Sequence, residues 1–518
     1  MRPLPAFVAG RLAAVRADPC GVPLPVFNSL LSAVASSHSH SHLPLHLFRR
    51  LLLPRRRPDA FTLSSLASSF LQLVSSRSRS HAAASLHAFS LRLGLLHADP
   101  VLTNSILLLY LRLSHSLTNA LHLFDEMPVR TASTYNALIS YSPPDASDIW
   151  PFVRHMVTHD GLTPDRFTLS ALLSSSSMMS QHHGRELHCF AIKAGMCSDI
   201  DFHVTSGLVS MYCRVRQPRL ARRVFDRMQR RNVVSWTAMV GGYSENGMFQ
   251  DVVNAFRSMW LVDAILPNRI ALISVLSACS GGLMGLAQGM QVHGFALRMG
   301  LYGEISLNNA LIDMYAKGGA LRYARRVFDD DTWRKDIISW GSMLLGYGLH
   351  GMGAEAVALF DHMRASGVKP DSIIGLGVLS ACCRAGLVLE GLEIYNSLLK
   401  DHKVQPTQEM SACVVDLLGR SGLIHHALDF IKSMTVQPGP SVWGALLDAS
   451  VIHSNKEAQD LACKSLLTME QGSPSNLVLV SNLYANSGRW NIVEQVRAKI
   501  KQGTLKKTPG RSWVKPAT

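Results

Sequence analysis

Apolar and polar positions alternate along this chain with a helical period, in short bursts that stop and restart. In 233–268 the string VVSWTAMVGGYSENG spaces its apolar residues for one helix face and breaks at Gly247. FQDVVNAFRSMW then predicts a second amphipathic helix, which Pro267 ends. The unit is a helical hairpin, and it recurs. STYNALI (133–139), SWTAMV (235–240) and SWGSML (339–344), with an earlier relative VFNSLL (26–31), place Phe27, Tyr135, Trp236 and Trp340 at intervals of 108, 101 and 104 residues. SLHAFSLRLG (85–94), ELHCFAIKAG (186–195) and QVHGFALRMG (291–300) place His87, His188 and His293 101 and 105 apart. ALHLFDEM, ARRVFDRM and ARRVFDDD place Phe124, Phe225 and Phe328 101 and 103 apart. Three unrelated strings on one spacing define a superperiod, which divides into three units of 31–40 residues. A two-helix unit of that size cannot bury its apolar face alone, so the pattern predicts an all-helical stack of hairpins.

Composition changes this picture in three ways. At 518 residues and 47% apolar the chain exceeds one ordinary core without reading as disordered. A formal charge of +15, from 51 Lys and Arg against 36 Asp and Glu, favours a polyanionic partner. The nine cysteines are scattered with no Cys-x-x-Cys pair, which predicts reduced, mostly buried thiols and neither a disulfide framework nor a zinc site. There is no uninterrupted apolar run of 18 residues and no long basic amphipathic helix, so no membrane association is expected. Before Asp99 the only acids are Asp18 and Asp59, and residues 1–57 hold eight arginines and no lysine. An Arg-rich, acid-poor start predicts a short transit peptide over 1–23, with mitochondrial import favoured and the chloroplast as alternative.

The recurring strings resemble the pentatricopeptide repeat family of plants, in the subfamily that alternates P-, L- and S-type repeats. SWTAMVGGYSENG, NALIDMYAKGGALRYARRVFD, VLSAC (275–279 and 378–382) and GVKPD (367–371) carry the resemblance, which covers about 24–515. The register places P-type repeats at 24–59, 132–165, 233–268 and 337–371. L-type repeats fall at 60–99, 166–201, 269–304 and 372–408, and S-type at 100–131, 202–232, 305–336 and 409–440. From Ser441 the pattern changes, and 441–518 resembles the paired E motifs that end many members. The resemblance implies an all-α, right-handed superhelical α-solenoid of helix-turn-helix repeats that binds single-stranded RNA in an organelle. It also implies that cytidines are specified for C-to-U editing. Because the chain stops at Thr518, a few residues after Trp513, the deaminase or accessory editing factors are expected in trans.

In that family the fifth residue of the first helix and the last residue of the repeat read one base edge. Carried over, the pairs are Asn28 with Asp59, Asn136 with Asp165, and Asn309 with Asp336, for which the family rule implies uridine. Ser206 with Asn232 and Thr237 with Asn268 imply adenosine, and Asn104 with Thr131 departs from the usual pairs. Gly341 with Asp371 has no reading side chain, and Cys413 is atypical. The L-type fifth positions are Ser64, Ser170, Ile273 and Leu376, of which two cannot bond a base edge and so imply spacing. The plainer alternative for each short polar residue is a helix cap or turn. Phosphate contacts are sought in Arg222, Arg223, Arg325, Arg326, Lys506, Lys507, Arg511 and Lys515, with a solvated helix face as the alternative. Trp236 and Trp340 sit in an apolar pattern that predicts core packing over base stacking.

No catalytic signature emerges from the same strings. The chain has no His-x-Glu with Cys-x-x-Cys, no Walker A string and no Gly-x-Ser-x-Gly elbow. One Gly-x-Gly-x-x-Gly, at Gly346, Gly348 and Gly351, follows a helix instead of a strand and coincides with a repeat turn, so a dinucleotide site is not expected. His38, His40, His42 and His46 form a His-rich loop better read as adventitious than functional, and His87, His188 and His293 read as packing positions. The expectation is a binding protein that is no enzyme and needs no cofactor or metal. The alternatives are an organellar splicing, stability or translation factor and, from another class, a protein-interaction scaffold.

Overall fold

The computed structural model describes residues 23–35, 47–49, 52, 57–72, 79–96, 99–114, 117–141, 149–174, 181–197, 202–280, 283–434, 436–469 and 474–502. Among them the regular elements are helices. The expected transit segment up to residue 22, the histidine cluster 38–46 and the basic tail 503–518 lie outside the described residues.

The chain divides into two compact units, Met1–Asn246 with Arg257–Leu266, and Gly247–Phe256 with Pro267–Thr518. In the first, the leading helices Leu24–Ala35, Ala60–Gln72, Pro100–Leu109, Ala132–Tyr141, Arg166–Ser174, Phe202–Arg214 and Val233–Glu245 stack in chain order. In the second, Arg269–Cys279, Ile305–Lys317, Ile337–His350, Ser372–Ala385, Gln408–Arg420 and Pro440–Ile452 do the same. The trailing helix of a hairpin packs on its own leading helix and on the next one, as Pro218–Asp226 and Leu321–Asp329 do. Each hairpin therefore lends its apolar face to its neighbours, which makes the stack cooperative only locally.

The repeated strings explain the core. Phe124 meets Tyr135 edge-on at 5.3 Å between ring centroids, Phe225 meets Trp236 at 4.6 Å, and Phe328 meets Trp340 at 5.0 Å. Trp236 and Trp340 are buried, as their apolar pattern predicts. Each recurring histidine holds the next tyrosine: the Nδ1-to-hydroxyl distance is 2.9 Å for His87–Tyr110, His188–Tyr212 and His293–Tyr315. Burial lowers the pKa of His293, and burial with nearby Arg227 lowers that of His188, which favours the neutral ring in these pairs.

Leading helices approach closely along a seam of small residues. A Cβ at Gly242 would lie 2.2 Å from Cys213 Sγ, one at Gly346 2.7 Å from Ala316 Cβ, and one at Gly419 2.4 Å from Ala449 Cβ. The glycine triplet is thus structural: Gly346 packs on Ala316, Gly348 faces the Gly377 carbonyl, and Gly351 ends its helix at φ 67°, where a side chain is strained. Burial pushes the Cys213 thiol up to about 12 and those of Cys279 and Cys382 up to about 11, so these are packing residues and not nucleophiles.

The segment after Ser441 changes in sequence and keeps the same architecture. Pro440–Ile452 pairs with Lys456–Thr468, and Pro474–Asn486 with Trp490–Gln502. Asn455 caps the second of these helices through Ala458 N at 3.0 Å.

Candidate functional site

Most of the leading helices begin after a short polar residue, because the first backbone N–H groups of a helix need an acceptor. Asp59 accepts from Thr62 N at 2.8 Å, Asp165 from Thr168 N at 2.7 Å, and Asp336 from Ser339 N at 2.9 Å. Asn232, Asn268, Asp371 and Thr407 cap their helices in the same way. Asp59, Asp165, Asn232, Asn268, Asp336 and Asp371 therefore each end a repeat and cap the next leading helix, and the cap alternative holds at each. Glu304 makes no such bond, and Thr407 stands one residue before the end of 372–408.

Capping does not exhaust these side chains. Asn28 Nδ2 donates to both Asp59 carboxylate oxygens at 3.1 and 3.0 Å, and Asn28 Oδ1 accepts from Thr62 Oγ1 at 2.6 Å. Asn309 repeats the arrangement, donating to Asp336 Oδ1 at 3.0 Å and accepting from Ser339 Oγ at 2.6 Å. Asn136 donates to Asp165 Oδ1 at 3.3 Å, but its Oδ1 is buried with no partner among the described residues. The odd pair Asn104–Thr131 forms the same bridge with a hydroxyl: Nδ2 to Thr131 Oγ1 is 3.2 Å, and Thr134 Oγ1 to Asn104 Oδ1 is 2.7 Å. The four fifth-position asparagines thus meet the last residue of their own repeat, where the next leading helix begins.

The Ser and Thr positions behave differently. Ser206 Oγ is buried with no partner among the described residues, while Asn232 caps its own helix. Thr237 Oγ1 donates back to Val233 O at 2.6 Å, and Asn268 caps Arg269–Cys279. Counting from the Thr407 cap places Ala412, one residue before Cys413, in the fifth position of Gln408–Arg420. A helix whose start lacks an Asp or Asn cap signal explains that slip in register.

Charge follows the geometry. Burial favours the neutral carboxyl of Asp165, yet hydrogen bonds from Thr168 and Asn136 outweigh it and hold the group below the usual carboxylate range. Asp336 is held low in the same way, its burial opposed by Ser339 and Asn309. Of the basic candidates, Arg222 is engaged by Asp226 at 2.8 Å, and Arg325 by Asp329 at 2.7 Å and by the Tyr347 hydroxyl at 3.3 Å. Arg326 lies 5.7 Å from the Tyr323 ring centroid. Lys506, Lys507, Arg511 and Lys515 lie outside the described residues.

One recurring feature is carried by no motif. Phe61, Val101, Phe167, Val234, Ile270, Ile338 and Ile373 are large apolar residues between 54% and 65% exposed. Each is the second residue of a leading helix, three before the fifth position, so the two share one helix face. At Ser64, Asn104, Ser170 and Thr237 the fifth residue is short and polar, and an exposed apolar residue beside it offers a planar ligand both a flat contact and an edge contact. The sequence holds the signal, since an apolar residue two after Asp59, Asp99, Asp165, Asn232, Asn268, Asp336 and Asp371 breaks the amphipathic pattern.

Among the described residues no group of three or more metal-ligating side chains comes together, and no helix is long and apolar enough to cross a membrane.

Residues 205–233, 234–261, 338–368 and 377–402 match the PPR repeat family, and 453–515 match the E motif. A mitochondrial pentatricopeptide repeat-containing protein of Arabidopsis thaliana is 31% identical over 94% of this chain and 79% of its own length. The chloroplastic Arabidopsis thaliana protein CRR2 is 34% identical over 80% of the chain and 64% of its own length. Another chloroplastic relative is 31% identical over 95% of the chain, which spans 56% of that protein. The chain thus covers little more than half of several relatives. The maize pentatricopeptide repeat protein PPR10, solved with an 18-nt psaJ RNA element, shares the fold with a TM-score of 0.62 at 17% identity, over 96% of this chain and 76% of that one.

Proposed function

The chain belongs to the pentatricopeptide repeat family, and from that premise we propose that it binds single-stranded RNA sequence-specifically in an organelle. Asn28 with Asp59, Asn136 with Asp165, and Asn309 with Asp336 read uridine; Ser206 with Asn232 and Thr237 with Asn268 read adenosine; Asn104 with Thr131 contributes a further contact. The observation that carries this reading is the state of the fifth positions. Bridging to the cap fixes which end of the asparagine amide faces the neighbouring repeat and prevents a flip. One amide N–H and one carbonyl lone pair stay available to the N3–H and carbonyl edge of uracil. Asn136 Oδ1 and Ser206 Oγ are buried acceptors that a base edge would satisfy, removing a desolvation cost of about 1–3 kcal/mol each. Val101, one turn before Asn104, and Val234, one turn before Thr237, are exposed and support a base face at those two positions.

The hairpins after Ser441 serve a second purpose in this reading. The E motif over 453–515 supports recruitment of a deaminase in trans, so that bound RNA presents a cytidine for C-to-U editing. An Arg-rich start and relatives from both compartments support import, with the mitochondrion favoured over the chloroplast. Filter binding against RNA and single-stranded DNA tests the first step: submicromolar, sequence-dependent RNA binding is expected, and indifferent binding sinks it. Transcript sequencing of a knockout tests the second, with loss of one or a few C-to-U sites expected and unchanged editing fatal to it.

A further inference from the structure

Beside His188 lies a cavity of about 110 Å³, within the first unit and lined in part by Cys197, Phe202, Thr205, Arg227 and Arg230. The repeated sequence explains why it is open. His87, His188 and His293 are equivalent, and nine residues after each stand Leu96, Cys197 and Tyr302. Leu96 is buried in the first copy. In the third copy the Tyr302 ring stacks on His293, with centroids 5.5 Å apart and planes 24° from parallel. Its hydroxyl donates to Asp330 Oδ2 at 2.8 Å. Only the middle copy puts a small residue at this place, and it also replaces Asp330 by Arg227 and Trp333 by Arg230. The side chains that fill the hole elsewhere are absent here, and the acid that receives the phenol is replaced by a cation. No acid forms an ion pair with Arg227 or Arg230 among the described residues. His188 stays positioned as its two counterparts are, through Tyr212 at 2.9 Å.

We propose that this cavity is a ligand site for a planar six-membered aromatic ring carrying an anionic group, with the ring on the His188 face and the anion on Arg227 and Arg230. The internal copy supplies the template for the ring, and the exchange of carboxylate for guanidinium supplies the preference for an anion. A neutral imidazole suits a stacked ring, and burial with Arg227 nearby lowers the pKa of His188. The chemistry comes from two sources, a free aryl phosphate or nucleotide and the terminal nucleotide of an RNA.

Calorimetric titration of the full chain with phenyl phosphate, uridine 5′-monophosphate and inorganic phosphate tests the site. The aryl ligands should bind at least tenfold more tightly than inorganic phosphate. Cys197→Tyr with Arg227→Asp, which rebuilds the arrangement of the third copy, should abolish that binding and raise the Tm. Cys197→Leu, which copies Leu96 of the first copy, provides a second way to fill the hole. RNA binding by the proposed reading positions should be unchanged in both variants, so failure here and failure of the RNA reading are separable. Competition by a 5′-phosphorylated oligonucleotide, but not by its dephosphorylated form, would assign the RNA terminus as the source; no competition would assign the free ligand. Undiminished aryl phosphate binding in both variants, or equal affinity for inorganic phosphate, would overturn the site.

Discussion

The repeats at 305–336 and 202–232 are the same kind of unit and differ in how the start of the leading helix is tied to the next repeat. At 305–336 the Asn309 amide, the Asp336 carboxylate and the Ser339 hydroxyl form a closed triangle of bonds between 2.6 and 3.0 Å. At 202–232 the Asn232 carbonyl and the Ser235 hydroxyl complete a capping box, and Ser206 Oγ takes no part. One repeat has its polar positions coupled to the fold. The other keeps a buried hydroxyl that contributes nothing to the fold and costs its desolvation. A side chain retained at such a cost points to a ligand, whereas a bonded one supports either purpose. Stability and recognition should therefore separate at 202–232 and travel together at 305–336.

The largest effect expected from this contrast is on stability. Asp336→Ala removes a cap worth about 1 kcal/mol and strands the buried Asn309 Nδ2, for a total loss of about 2–3 kcal/mol. Asn232→Ala removes a cap alone and should cost about 1 kcal/mol. Amide hydrogen exchange over 337–350 and 233–245 reads each loss locally, as suits a stack of weakly coupled hairpins. Equal losses at the two sites would remove the distinction.

Protonation offers a gentler and reversible version. The folded-state pKa values of Asp165 and Asp336 lie below the usual carboxylate value of 3.8. Their contribution is then fully present above that value and is lost as pH falls through the depressed folded-state value. Exchange protection over 166–174 and 337–350 should fall below about pH 4, while 233–245, capped by an amide that does not titrate, should hold. A parallel decline in all three would mean the acid caps are not what titrates.

A third test trades one arrangement for the other. Ser206→Asn with Asn232→Asp installs the 305–336 pair at 202–232. In competition binding the preference at that nucleotide should move from adenosine to uridine by about tenfold, roughly one well-placed bidentate contact. No change in base preference would detach these positions from recognition.

What the sequence made legible follows from what repeats. Hairpin boundaries, the Phe124–Tyr135 and Phe225–Trp236 core contacts and the pairing of Asn28 with Asp59 all sit on positions that recur, and recurrence reports spacing reliably. The bridge itself was not legible, because a residue at a helix start looks the same whether it caps, reads or does both. Cys413 was misplaced by one because Thr407 is a weaker start signal than Asp or Asn. The change of pattern after Ser441 reads as a helical extension, and the helices there keep the hairpin form, since burial of one face per helix does not require the repeat signature. The cavity at Cys197 was invisible for the opposite reason: it is defined by a departure from the repeat, and only the filled copy at Tyr302 gives the departure a shape.

The smallest effect discriminates most cleanly. Ser206→Ala deletes one oxygen that has no partner among the described residues and leaves the helix and the Cys213–Gly242 seam untouched. Removing an unsatisfied buried hydroxyl should change stability by no more than about 0.5 kcal/mol, and in the stabilising direction if at all. Selectivity at the corresponding nucleotide should nonetheless drop, because the alanine has no group to bond a base edge. A residue that served only the fold would show the reverse, a stability loss with unchanged base preference. Urea unfolding and competition binding on the same preparation therefore place Ser206 on one side or the other. If stability falls by more than about 1 kcal/mol, the hydroxyl has a partner in the folded protein, and the contrast with Asn309 fails at its origin.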